Sequence, residues 1–150
     1  MNFDLSETQE LFRSTTERFT QKIDVAAREK IRSGNTHYDQ ARWSELCELG
    51  LLAVGATEDQ GGLDGSLTDL SIIAETIGNN NALDPWLENG LFPISLLSKA
   101  NDSDLLPLLL DGSKIAAVAF IEPGSRYDLT PRITQATPCL LYTSPSPRDS

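Results

Sequence analysis

Apolar positions recur with helical spacing through most of the chain. Leu11, Thr15, Phe19 and Ile23 follow one another every four residues, and Phe12 lies on the same side as Phe19. Ser6 with Gln9 three residues on has capping-box spacing, so one long amphipathic helix is predicted over roughly 6 to 32, ended by Ser33-Gly34-Asn35. A second helix is predicted from about Asp39 to Leu49, with Trp43, Leu46 and Cys47 on one face and Gly50 placed to stop it. The glycine-rich stretch from Gly55 to Gly65 reads as a loop. Ser66 and Asp69 then open a third helix with a stripe of Leu67, Leu70, Ile73, Ala74 and Ile77, closed by Gly78 and three asparagines. Asp84-Pro85 reads as an N-cap followed by proline at the first helical position. The helix it starts should reach Lys99 and kink near Pro93, and a short one from Ser103 to Asp111 should close at Gly112.

The pattern changes at Lys114. Lys-Ile-Ala-Ala-Val-Ala-Phe-Ile, bounded by Gly112 and Pro123, predicts a buried strand, although periodicity alone leaves a helical segment as the alternative. Glu122-Pro123-Gly124-Ser125 is turn chemistry. The expectation is therefore a mainly α chain, five helices followed by the first strand of a truncated β-domain. A lone strand leaves its edges unsatisfied, so the sequence reads as cut. Residues 139 to 149, Cys-Leu-Leu-Tyr-Thr-Ser-Pro-Ser-Pro-Arg-Asp, resemble one reading frame of a sequencing-library adapter and are set aside as a foreign tail.

Composition narrows the function classes. The 150 residues carry 12 Lys+Arg against 22 Asp+Glu, a formal charge of -10. No Lys or Arg lies between Arg42 and Lys99, while acids run from Glu45 to Glu88. Nucleic acid is excluded as a partner, because a phosphate binder needs a basic face. The apolar runs are too short to span a bilayer and the first residues are not a signal sequence, so a soluble cytoplasmic protein is expected. Cys47 and Cys139 have no CxxC partner and His37 is the only histidine, which leaves no metal site. Cys47 reads as core packing rather than as a nucleophile.

Candidate chemistry is sparse. The loop from Glu58 to Ser66 runs into a helix N-terminus, where an anion could sit, yet it lacks GxGxxG and the P-loop lysine and carries three acids. A tight interhelix loop is the favoured reading. Asp59 and Asp64 lack the periodicity of a calcium loop, Ser66 is a cap before it is a nucleophile, and Glu75 is more readily an exposed helix carboxylate than a general base. Glu122 to Asp128 follows the predicted strand, and backbone donors there, with an aromatic and a cation beside them, could receive a planar cofactor; chemistry alone favours an ordinary turn.

Several motifs in collinear order resemble the amino-terminal part of the flavin-dependent acyl-CoA dehydrogenases. They are Phe3-Asp4-Leu5-Ser6-Glu7-Thr8-Gln9, the run from Trp43 to Leu52, the loop from Glu58 to Ser66, Glu75-Thr76-Ile77-Gly78 and the run from Leu105 to Gly112. The resemblance covers about 3 to 137 and implies a helical domain at 1–112, the start of a middle β-domain at 113–138 and the foreign tail at 139–150. It further implies a parent that oxidises an acyl-CoA to the 2,3-enoyl-CoA with FAD, acts with electron-transfer flavoprotein, and assembles as a homo- or hetero-oligomer. The catalytic base would lie outside this chain, leaving it without a catalytic residue and inactive. The cofactor positions implied are Val118, Phe120, Ile121, Gly124 and Tyr127, with Tyr127 also reaching the acyl chain. Glu122, Pro123, Gly124 and Asp128 fit the family's first β-segment, whereas Val118 replaces an aromatic, Ile121 a threonine, Arg126 a glycine and Tyr127 a serine. The run Glu-Pro-Gly-Ser-Arg-Tyr-Asp-Leu is similar to small subunits of pimeloyl-CoA dehydrogenase-type heteromers. Those departures keep open a second reading, a non-catalytic partner subunit.

Overall fold

A computed structural model describes residues 4–21, 24–36, 38–122, 128, 130 and 133. The chain divides into two compact units, Met1–Val118 and Ala119–Ser150. The first is all-helical, and no strand occurs among the described residues.

Helix α1, Glu7–Thr20, starts at the predicted capping box: Gln9 N donates to Ser6 Oγ at 3.2 Å and Ser6 N to Gln9 Oε1 at 3.0 Å. The long helix expected over 6 to 32 is two helices. Gln21 caps the end of α1, and Asp24 opens α2, Val25–Ser33, by accepting from Ala27 N at 2.7 Å. An aspartate at this position competes for backbone N–H groups and favours a new helix start over continuation. The buried stripe of α1 is also rotated from the expected one. Leu11 is 61% exposed, while Thr16, Phe19 and Thr20 are buried. Threonine enters the core because its hydroxyl is satisfied within the helix, Thr16 Oγ1 donating to Phe12 O and Thr20 Oγ1 to Thr16 O.

Helix α3, Gln40–Glu48, is capped by Asp39 and stops at Gly50, whose φ of 71° suits glycine. Helix α4, Leu67–Asn79, begins at the capping box of Ser66 and Asp69. Its buried face is Ile72, Ile73 and Thr76; Leu67, placed in the stripe by spacing, is 80% exposed, and Ala74 is exposed as well. Gln9 Nε2 donates to Asp69 Oδ1 at one end of the α1–α4 pair, and Asn80 Nδ2 to Thr20 Oγ1 at the other, so the two helices run parallel.

The fourth expected helix is a composite. Trp86–Leu91 form a π-helical turn, in which Phe92 N–H donates five residues back to Leu87 O, and α5, Phe92–Ala100, continues from it with Pro93 in its first turn. Proline lacks the N–H that an uninterrupted helix needs there, and the wider turn accommodates the break. Asp84 does not cap this helix. Its carboxylate is engaged by Arg42 instead. Helix α6 is Leu106–Leu110, followed by Gly112 at φ 75°. The core of the unit is Trp43, Trp86, Phe19, Leu46, Leu51, Leu52, Ile73 and Ile94, with Leu106 and Leu109 closing one side.

The buried strand expected from Lys114 to Ile121 is absent. Ile115 and Ala116 pack against the core, but Phe120 is 46% and Ile121 54% exposed. A strand is stabilised by a ladder to a neighbour, and no neighbouring strand exists among the described residues.

Candidate functional site

The expected cofactor segment begins where the helical unit ends. Lys114 N donates to Leu108 O at 2.9 Å, and two residues later Ala116 O accepts from Asn89 Nδ2 at 2.9 Å. Val118 is half-buried at the end of the first unit. Phe120 and Ile121 belong to the second unit, and both present apolar side chains to solvent. Within that unit Glu122 is buried, its Oε2 accepting from Ile133 N at 3.0 Å, and Asp128 Oδ1 accepts from Thr130 N at 2.9 Å. Gly124 and Tyr127 lie outside the described residues. Of the five cofactor positions, the structure therefore places three. Exposed apolar side chains at Phe120 and Ile121 suit packing against the face of a planar ring, but Ile121 supplies no hydroxyl to bond it. Apolar surface is thus what these two residues have to offer a planar ring.

The glycine-rich loop is not an anion cradle. Gly61 N donates to Glu58 O, Gly62 N to Thr57 O, Leu63 N to Ala53 O, Asp64 N to Ala56 O and Gly65 N to Val54 O. Ser66 N is taken by Asp69 Oδ2 at 2.8 Å. A phosphate needs several N–H groups free to converge on it, and here consecutive donors are spent on the chain itself. The glycines serve close approach instead: a Cβ at Gly62 would collide with Ala56, and one at Gly65 with Val54.

Glu75 is exposed on the wall of an open polar groove of about 420 Å³ beside Arg13 and Glu17, without the enclosure that suits a general base. Cys47 donates its thiol to Trp43 O at 3.2 Å, and burial, followed by the charge of Asp111, pushes its pKa up. A protonated, half-buried thiol is a poor nucleophile. No group of His, Cys, Asp and Glu able to hold a metal ion occurs among the described residues, and no helix there is long and apolar enough to cross a membrane.

Sequence reading passed over the strongest polar constellation. Arg42 on α3 forms a two-pronged pair with Asp84, Nε to Oδ1 at 2.9 Å and Nη2 to Oδ2 at 2.7 Å, with the side chains only 12% and 4% exposed. The guanidinium also lies 4.0 Å from the centre of the Phe19 ring. The two charges stand 42 positions apart, and the only signal is that Arg42 is the last cation before a long acidic stretch.

This arrangement of helices is that of a known domain. The family model for the acyl-CoA dehydrogenase N-terminal domain matches residues 6–97, well over half of the chain. The chain belongs to the acyl-CoA dehydrogenase family. It is 33% identical over 120 residues to the acyl-CoA dehydrogenase IpdE2 of Mycolicibacterium smegmatis, an alignment covering 77% of this chain and 38% of that protein. With IpdE2 of Mycobacterium tuberculosis the identity is 30% over 115 residues, covering 75% and 36%. A variant of the Tcur3481-Tcur3483 steroid ACAD superposes with a TM-score of 0.71 at 25% identity, over 79% of this chain and 34% of that one. The chain thus spans less than two fifths of the length of these relatives.

Proposed function

We propose that this chain is the amino-terminal part of a flavoprotein that oxidises an acyl-CoA thioester to the 2,3-enoyl-CoA. The observation that carries this reading is the family match across 6–97 on the helical fold described above. In it, 1–112 is the helical domain, 113–138 opens a middle domain, and 139–150 is foreign. FAD, when bound, supplies the acceptor for the β-hydride. This chain's own share is packing: Val118, Phe120 and Ile121 offer apolar surface, and the resemblance adds Gly124 as a flavin position and Tyr127 as one for the flavin and acyl chain. The base that removes the α-proton, and the groups that stabilise the thioester oxyanion, belong to the remainder of the parent. A cytoplasmic oligomer passing electrons to electron-transfer flavoprotein completes the reading. Its test is direct. The longer polypeptide, purified anaerobically, should carry flavin whose absorbance bleaches on addition of an acyl-CoA; a protein that neither holds nor takes up FAD overturns it.

A second reading is favoured by two residues. Val118 and Ile121 stand where the resemblance calls for an aromatic and a threonine, and the name of the steroid ACAD joins two components. A non-catalytic subunit of a heteromeric dehydrogenase would tolerate both changes. Co-expression with a candidate partner separates the two: activity that survives replacement of every carboxylate base in this subunit assigns catalysis to the partner.

A further inference from the structure

We propose that Asn89 is a positioning residue for the flavin site, fixing through the Ala116 carbonyl the backbone that delivers Val118; this rests on the flavin reading above. Asn89 belongs to the π-helical turn, and that turn is held on three sides. Arg42 clamps Asp84 just before it, Trp86 Nε1 donates to Leu51 O at 2.8 Å, and Gly90 lies so close to Leu52 that a Cβ there would collide with it. The wider turn inserts an extra residue into the helix, a device found often at functional sites. Its effect here is that Gly90 faces the core while Asn89, beside it, reaches across to Ala116. The donor therefore comes from a rigid support, as positioning demands.

The chain it holds is different in kind. Residues 114 to 122 adopt no regular element, and packing of Ile115 and Ala116 on the core already keeps that stretch attached. What packing does not fix is rotation about the chain axis, because apolar contact is non-directional. A single directed hydrogen bond does. Only the amide NH2 of Asn89 can donate to a carbonyl, so the partner and the orientation are both specified. Val118 follows two residues later, within about 7 Å of backbone reach, so a change in direction at Ala116 is passed on to it.

The experiment uses the longer polypeptide with Asn89→Asp, which keeps the shape but replaces a donor with an acceptor facing a carbonyl, and Asn89→Ala, which removes the donor without adding charge. Both should weaken FAD affinity, by about tenfold for the Asp variant, shift the flavin absorbance band, and speed hydrogen exchange of the Lys114 amide, which donates to Leu108 O where the same stretch leaves α6. The melting temperature of the flavin-free protein should stay near that of the wild type. If Asn89→Asp does not fold, Asn89→Ala carries the test. Unchanged affinity, spectrum and exchange overturn the proposal, as does a loss of affinity that merely tracks a fall in melting temperature. A wild type that holds no flavin overturns the functional reading and this proposal with it. A flavin-replete wild type with unaffected variants overturns this proposal alone.

Discussion

At the scale of single residues, what the sequence made legible was local. Ser6 and Ser66 cap helices as their spacing predicts, because a cap is decided within three residues, whereas Asp84, expected to cap, is taken by Arg42. The Arg42–Asp84 pair escaped notice because nothing in either neighbourhood specifies a partner across the fold. Replacing one member alone strands a buried charge beside apolar atoms. Arg42→Met or Asp84→Leu should cost about 3–5 kcal/mol in denaturant unfolding, and the double variant Arg42→Met/Asp84→Leu distinctly less than the sum. Additive losses would show that the pair is not coupled. Asp69 makes a pH prediction. The Ser66 hydroxyl, with help from the Ser66 N–H and Gln9, holds its carboxyl below the usual carboxylate value. A depressed folded pKa means that this contribution is present above the unfolded value and is lost as pH falls through the folded one. Melting temperature should therefore fall less steeply below about pH 4 in Asp69→Asn than in the wild type. Cys47 should alkylate more slowly in the native chain than after unfolding at pH 8, since burial keeps its thiol protonated.

At the scale of elements, helix existence was readable and helix faces were not. Spacing alone put Leu11 and Leu67 in the core, whereas the structure buries Thr16, Thr20 and Thr76. A hydrophobicity count cannot anticipate that, because each of those threonines becomes burial-competent only by bonding its own helix, as Thr76 Oγ1 does to Ile72 O. The strand expected from Lys114 to Ile121 is missing for the opposite reason. Val-Ala-Phe-Ile has strand character, yet a strand is a property of pairs, and the sequence names no partner. Only Val118, Phe120 and Ile121 of the candidate site lie among the described residues, so the candidate site rests on resemblance rather than on any visible constellation. The glycine loop supplies the element-scale prediction. Gly65 sits where a Cβ would run into Val54, so Gly65→Ala should lower stability by about 1–3 kcal/mol, the usual range for overpacking. Gly78 has open space around its missing Cβ, so Gly78→Ala, in the last turn of α4, should instead hold or raise stability by up to about 1 kcal/mol. Equal effects at the two sites would refute the close-approach explanation.

At the scale of the whole molecule, fold and chemistry separate. The first unit has its own buried core, two tryptophans included, and its capped helices give it the means to fold without the second. It offers a flavin little. The donors of its glycine loop are used internally. In the reading proposed above most of the cofactor site belongs to the remainder of the parent, so a part that supplies only apolar packing keeps a small share of the affinity. The 150-residue chain should therefore melt cooperatively with helical circular dichroism. Its affinity for FAD should be at least about 100-fold weaker than that of the longer polypeptide, a deficit of about 2.7 kcal/mol. It should also leave acyl-CoA unoxidised with an artificial electron acceptor, since the proposed reading assigns the base that takes the α-proton to the remainder of the parent. Fluorescence titration with FAD checks the first point and acceptor reduction the second. Equal affinity in the two proteins would place most of the cofactor site within these 150 residues and overturn the division of labour proposed for them.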